Sequence, residues 1–228
     1  AEKSVLIKQD KTQPVLAVET SGAICGASVY FDDEKYSTVS VVWKNRHSDK
    51  IFDVINQALN IAEVSLSDLE WIAVSSGPGS FTGLRIGMSA VKGIATGLSL
   101  PIISVPTFEA LALQISSVLN EKNEFVIVNK VNSEELYIQK FSSKENGYEV
   151  NGKLEIINSN DVGIYTSKFL TFGNFVEKKS SKSQFAQPHP EFVAKWGRLF
   201  GKNLLTTDYD YLEPNYVKNF IVKEKRND

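Results

Sequence analysis

Gly77-Pro-Gly-Ser-Phe-Thr-Gly83 is the stretch that most restricts what this chain can fold into. It lies between an apolar strand-like run, Trp71-Ile-Ala-Val-Ser75, and a helix-like run from Thr82 to Gly97. A glycine-rich turn from strand into helix lets the backbone approach either a phosphate at the helix N-terminus or another piece of protein. The phosphate templates can be tested letter by letter. A P-loop needs Lys-Ser/Thr after its last glycine, and here Gly83 is followed by Leu84 and Arg85. A dinucleotide fingerprint needs glycine at its sixth place and an acid about 20 residues later. Thr82 holds that place, and the stretch near Ile102-Ile-Ser104 is not acidic. Neither template fits, whereas Ser80 and Thr82 are good candidates to cap the helix that follows.

On a wheel of about 100° per residue, Gly83, Gly87, Ala90, Ile94 and Gly97 of this helix share one face. Leu84, Met88, Val91, Ala95 and Leu98 make a second apolar face, and Arg85, Ser89, Lys92 and Thr96 a polar stripe. Glycine inside a helix costs about 1 kcal/mol relative to alanine, so repeated glycines on one face call for close packing. Periodicity leaves two sources open: the helix is sandwiched within one domain, or it packs against a helix of another subunit.

The bounds set by composition are ordinary. A chain of 228 residues, 42% of them hydrophobic, builds one or two cored domains. A formal charge of −2 provides no basic field, so nucleic acid is not expected to bind this chain by itself. Cys25, the only cysteine, cannot form an internal disulfide, which fits a reducing cytoplasm. No apolar run reaches membrane-spanning length, and Ala1-Glu-Lys-Ser-Val5 carries no signal-peptide pattern. The only methionine is Met88, so a start residue, tag or short leader is expected to have preceded Ala1.

Read coarsely, the chain divides into a first lobe, 1–106, and a smaller second lobe, 107–228. Val15–Thr20 reads as a buried strand, followed by an antiparallel pair over Ile24–Asp33 and Lys35–Lys44. Ser48–Glu63 reads as a helix, with Ile51, Val54, Ile55, Ala58, Leu59 and Ala62 at helical spacing and Ser48 as its cap. After the Trp71 strand, glycine turn and Thr82 helix come a strand, Pro101–Val105, and a helix, Thr107–Leu119, capped by Thr107. In the second half, Phe125–Asn129, Glu135–Phe141, Tyr148–Ile157 and Phe169–Phe172 read as strands, and Glu191–Gly201 as a helix. Lys178–Ser183 reads as a solvated loop. The second half is a shorter echo of the first, which suggests two related α/β lobes.

Several segments resemble one family. Val15-Leu-Ala-Val-Glu-Thr20 and Ala27-Ser-Val-Tyr30 look like its first two strands, and Asn45-Arg-His-Ser48 like the start of its first long helix. Gly77-Pro-Gly-Ser-Phe-Thr-Gly-Leu-Arg-Ile-Gly87 is similar to its hallmark loop nearly letter for letter, and Glu213-Pro-Asn-Tyr-Val-Lys218 resembles its C-terminal motif. The family is TsaB, also called YeaZ. The resemblance implies the two-lobed ASKHA fold of actin, sugar kinases and Hsp70. It implies a non-catalytic subunit that binds and activates the threonylcarbamoyltransferase TsaD in modification of tRNA adenosine 37. A small ATPase, TsaE, joins the pair, so the complex uses ATP and meets tRNA, while this chain binds no cofactor of its own. It further implies that the helices Ser48–Glu63 and Thr82–Gly97 pair with TsaD helices in a four-helix bundle, or with a second copy when TsaD is absent. The interface residues expected on that basis are His47, Ile51, Ile55, Gly83, Gly87, Ala90, Ile94 and Gly97. The loop Gly77, Pro78, Gly79, Ser80, Phe81 and Thr82 leads into them.

Catalytic alternatives can be weighed against that expectation. The catalytic relatives hold a metal with two histidines four apart on the first long helix; here His47 is followed at that spacing by Ile51, and the other histidine is the distant His189. ASKHA kinases place an acid after the first strand, and Glu19 stands there with one methylene more than aspartate. Gly173-Asn174 reads as a turn or as the remnant of a second-lobe phosphate turn, and Lys130-Val-Asn132 replaces the family's Asp-Ala-Arg. The rival expectation is a stand-alone ASKHA kinase or phosphohydrolase using Glu19 and Gly173.

Overall fold

The computed structural model describes residues 12–43, 45–175 and 185–215. β1 (Val15–Glu19), β2 (Ile24–Tyr30) and β3 (Tyr36–Val42) form an antiparallel meander. α1 (His47–Ala62) leads to β4 (Ile72–Gly77), α2 (Phe81–Leu98) and β5 (Ile102–Pro106). β4 and β5 run parallel to β1, closing a sheet of order β3-β2-β1-β4-β5. α3 (Thr107–Ser116) then leads into the second sheet: β6 (Glu124–Lys130), β7 (Glu135–Lys144), β8 (Gly147–Val150), β9 (Glu155–Asn158) and, after α4 (Val162–Thr166), β10 (Leu170–Phe172). β6 and β7 pair antiparallel and β10 runs parallel to β6, an abbreviated repeat of the first sheet. Two such sheets in succession are the ASKHA two-lobe arrangement.

The burial pattern follows from which sheet faces are covered. β1 is buried at all five positions because helices lie on both faces of its sheet. Leu16 and Val18 point to the α1–α2 side, with Ile51, Val54, Ile55, Met88 and Val91. Val15 and Ala17 point to the other side, with Leu113 of α3 and Val193 and Trp196 of α5 (Pro190–Phe200). α5 therefore belongs by sequence to the second half but packs on the first sheet. α3 serves both sheets, since Phe108, Leu111 and Ile115 also meet Phe125, Ile127 and Phe141 of the second.

Several local expectations are corrected by the backbone. Tyr148–Ile157 is not one strand. It breaks after Val150 into β8 and β9, both pairing with β7, with Asn151-Gly152 in the break. α1 starts at His47 with Arg46 at its N-cap and no side-chain cap, and Ser48 donates to Asp49 instead. α3 ends at Ser116 rather than Leu119, and the Thr107 hydroxyl accepts from the Gly77 N–H at 3.0 Å instead of capping its own helix. Ser80 does cap α2, its hydroxyl accepting from the Gly83 N–H at 3.2 Å. The Lys178–Ser183 loop, the Tyr216–Lys218 end of the C-terminal motif and residue 44 lie outside the described residues.

Candidate functional site

α1 and α2 lie side by side on one face of the first sheet. Each buries one stripe and presents the opposite one outward. The outward stripe of α2 is the i, i+4 row Phe81, Arg85, Ser89, Gly93 and Gly97, all exposed. At Gly93 and Gly97 an added Cβ would meet nothing within 4 Å. Beside this row, Ser48 and Phe52 of α1 complete an open groove of about 550 Å³ with Phe81, Thr82, Arg85, Ile86 and Ser89. Phe52, 53% exposed, lines this groove together with Phe81, so the two rings form one continuous apolar patch rather than scattered exposed side chains. The Arg85 guanidinium lies over the Phe81 ring at 4.0 Å. The surface is a shallow apolar trough beside a ridge of small residues, a shape that lets another helix approach closely.

The expected interface residues divide on this face. Gly97 is on the open ridge, and Ala90, though buried, forms part of the groove floor. Ile94 is partly buried against the core. Ile55 belongs to the chain's own core; Ile51 does too and reaches only the edge of the groove. His47 is half-buried, its Nε2 3.2 Å from the Ile24 carbonyl. Gly83 and Gly87 are a correction: they face inward. A Cβ at Gly83 would collide with the Thr20 carbonyl oxygen, and one at Gly87 with the Thr20 hydroxyl. Their close-packing partner is the end of β1 in the same chain, not a helix of a second subunit.

The glycine loop is built around that same turn. Gly77 has φ +117°, a conformation glycine tolerates, and its Cβ position is filled by the Asn215 carbonyl. The bond to Pro78 is cis. Gly79 lies against Ser21, and the Ser80 N–H donates to the Ser21 carbonyl at 2.7 Å. Loop and helix start are thus seated on Thr20 and Ser21, which resolves the choice between phosphate and protein for this backbone approach in favour of protein.

Glu19, directly before this seat, is fully buried. One carboxylate oxygen accepts from the Ser21 N–H at 2.5 Å and from the Gln187 carboxamide at 3.2 Å; the other accepts from the Ser75 hydroxyl. Burial pushes its pKa up to about 7, while the hydrogen bonds from Ser21, Ser75 and Gln187 pull the other way. Burial and the charge of Glu19 together push the Cys25 thiol up to about 11. The nucleotide expectation for Glu19 is therefore corrected, because its oxygens are consumed within the fold. Gly173 has φ +116° and fits its turn only because it has no side chain, since a Cβ there would strike the Val128 carbonyl. Between the lobes lies a cleft of about 440 Å³, bordered by Ser21, Gly22, Ser80, Asn129, Lys130 and Asn174. Neither Glu19 nor Gly173 lines it. Among the described residues no group of three or more His, Cys, Asp or Glu could hold a metal ion, and no helix is long and apolar enough to cross a membrane.

Residues 40–146 match the family model "TsaD: tRNA N6-adenosine threonylcarbamoyltransferase". The chain is 35% identical to a tRNA threonylcarbamoyladenosine biosynthesis protein TsaB of Buchnera aphidicola subsp. Schizaphis graminum, over 50% of this chain and 54% of that one. It is 23% identical to the TsaB of Haemophilus influenzae, over 92% of this chain and 96% of that one. The chain is thus similar to TsaB proteins, at 32–35% identity over part of their length and at lower identity over nearly all of it. In the Buchnera comparison it spans about half the length of the relative it matches. The fold matches that of YeaZ from Pseudomonas aeruginosa with a TM-score of 0.75 at 19% identity, covering 90% of this chain and 100% of that one.

Sequence reasoning passed over Phe52, Gly93 and Gln187, and left Ser89 in the polar stripe. Ser89 and Gly93 were legible as the i, i+4 continuation of Phe81 and Arg85 towards Gly97. Gln187 had no local signal, since its partner Glu19 is 168 residues away.

Proposed function

We propose that this chain is the non-catalytic partner subunit of a TsaD-type threonylcarbamoyltransferase acting on tRNA adenosine 37, which it binds and activates through the α1–α2 face. The carrying observation is the open Ser89–Gly93–Gly97 ridge beside the Phe52–Phe81 groove. Small residues let a facing helix approach closely, and the exposed aromatics give it apolar area to bury. The names of the TsaB relatives point the same way. Two helices from each side would make a four-helix bundle, with the TsaD-type subunit as the working partner and a second copy of this chain as its substitute when that subunit is absent. A TsaE-type ATPase and tRNA would join the complex rather than this chain alone, which accords with the formal charge of −2. ATP would be consumed by the complex, in the cytoplasm where tRNA is modified.

The rival reading as a stand-alone ASKHA kinase loses its acid, because Glu19 faces Ser21, Ser75 and Gln187 rather than the cleft. Multi-angle light scattering on this chain mixed with the TsaD-type subunit of the same organism tests the proposal. A one-to-one heterodimer is expected. Two unassociated species, together with ATP turnover by the isolated chain, would favour the rival.

A further inference from the structure

We propose that Glu19 is a positioning residue for the interface helix, tying the second half of the chain, through Gln187, to the turn on which α2 is seated. The inference rests on the reading of the α1–α2 face as the partner-binding surface.

A continuous set of hydrogen bonds runs from the second sheet to α2. Asn129 on β6 donates from its carboxamide to the Ala186 carbonyl at 2.9 Å, and its oxygen accepts from the Asn174 N–H at 2.7 Å. The next residue, Gln187, is 4% exposed and has its carboxamide fully engaged with the first lobe. Its oxygen accepts from the Ile24 N–H at 2.8 Å, and its nitrogen donates to the Ile24 carbonyl and to Glu19, both at 3.2 Å. Glu19 in turn holds the Ser21 N–H and the Ser75 hydroxyl. Ser21 receives the Ser80 N–H at the start of α2, and Thr20 fills the notches left by Gly83 and Gly87.

A buried carboxylate is costly, and a simple turn does not require one. What a carboxylate adds here is acceptor capacity for three donors from three separate segments, Ser21, Ser75 and Gln187. The segment from Glu19 to Ser21 cannot shift without moving α2, because no side chain cushions the contact at Gly83 and Gly87. Loss of the Gln187 contact therefore loosens the seat of α2 while leaving the outward face chemically unchanged.

The test is the dissociation constant for the TsaD-type subunit, with amide hydrogen exchange over residues 77–87, in Gln187→Ala, Glu19→Ala, Glu19→Gln and Phe52→Glu. Gln187→Ala and Glu19→Ala are expected to weaken binding about tenfold, within the usual range for coupled sites, and to speed exchange at the start of α2. Glu19→Gln keeps an acceptor for Ser21 and Gln187, so its binding should stay within about twofold of the parent, a rescue that mere burial of an apolar group would not give. The inference is overturned if Gln187→Ala binds as tightly as the parent while Phe52→Glu abolishes binding. If Phe52→Glu binds normally as well, it is the reading of the α1–α2 face that fails. Should Glu19→Ala fail to fold, Gln187→Ala still decides the matter.

Discussion

Two glycines ten residues apart on α2 should respond to the same substitution with opposite signs. At Gly93 an added Cβ meets nothing within 4 Å, so Gly93→Ala changes only the cost of glycine in a helix interior. That cost is about 0.8–1 kcal/mol, and its removal should raise Tm by about 2–4 °C in a chain of this size. At Gly83 the Cβ would overlap the Thr20 carbonyl and press within 3.3 Å of the capping Ser80 side chain. The carbonyl is backbone at the end of a fully buried strand and cannot rotate away. Overpacking of this kind costs about 1–3 kcal/mol, more than the propensity returns, so Gly83→Ala should lower Tm. Paired urea and thermal unfolding curves of the two variants give both signs in one experiment. If Gly83→Ala were as stabilising as Gly93→Ala, α2 would not be seated on Thr20, and the division of its glycines into inward and outward sets would be wrong.

Three further outcomes follow from the same packing. Glu19 binds its proton more tightly folded, at about 7, than at its ordinary 4.5; stability should therefore fall as pH rises between those values, by about 3 kcal/mol in all. Glu19→Gln should flatten that window in urea unfolding at pH 5 and pH 8, and an unchanged slope would place the titration elsewhere. The Thr20 hydroxyl is buried without a hydrogen-bond partner among the described residues, so Thr20→Val should stabilise the chain by about 1 kcal/mol; a loss of similar size would mean that the hydroxyl is satisfied. The Tyr148 hydroxyl donates to Glu109 at 2.5 Å and accepts from the Trp196 indole at 2.7 Å, joining β8, α3 and α5. Tyr148→Phe leaves both partners unmatched and should cost about 1–3 kcal/mol in chemical denaturation.

Much of the first lobe was legible because its signals are local. The apolar runs of β1, β4 and β5, the 3.6-residue period of α1 and α2, and the Ser80 cap each announce their element within a few residues. The second lobe was less legible where strands are short, as at β8 and β9, which share one partner and are split by a turn. α2 was read correctly as amphipathic, with Leu84, Met88, Val91 and Ala95 turned to the core, yet Gly83 and Gly87 were assigned outward when they face inward. A wheel groups Gly83 and Gly87 with Gly97 but cannot say which arc meets the sheet, and that depends on Thr20, which is distant in sequence. Arg85 and Ser89, read only as part of a polar stripe, line the open groove beside Gly93 and Gly97. For the same reason Glu19 looked like a cleft acid: nothing in its neighbourhood in sequence announces Gln187.

The central claim is that the open ridge of α2 receives a partner helix, and Gly93→Leu tests it most directly. Its Cβ would meet nothing within 4 Å, on a position exposed along the outward row of α2. Isothermal titration against the TsaD-type subunit of the same organism should show one-to-one binding by the parent chain and none by Gly93→Leu, with melting no lower than the parent's. Binding of Gly93→Leu as tight as that of the parent would contradict the account.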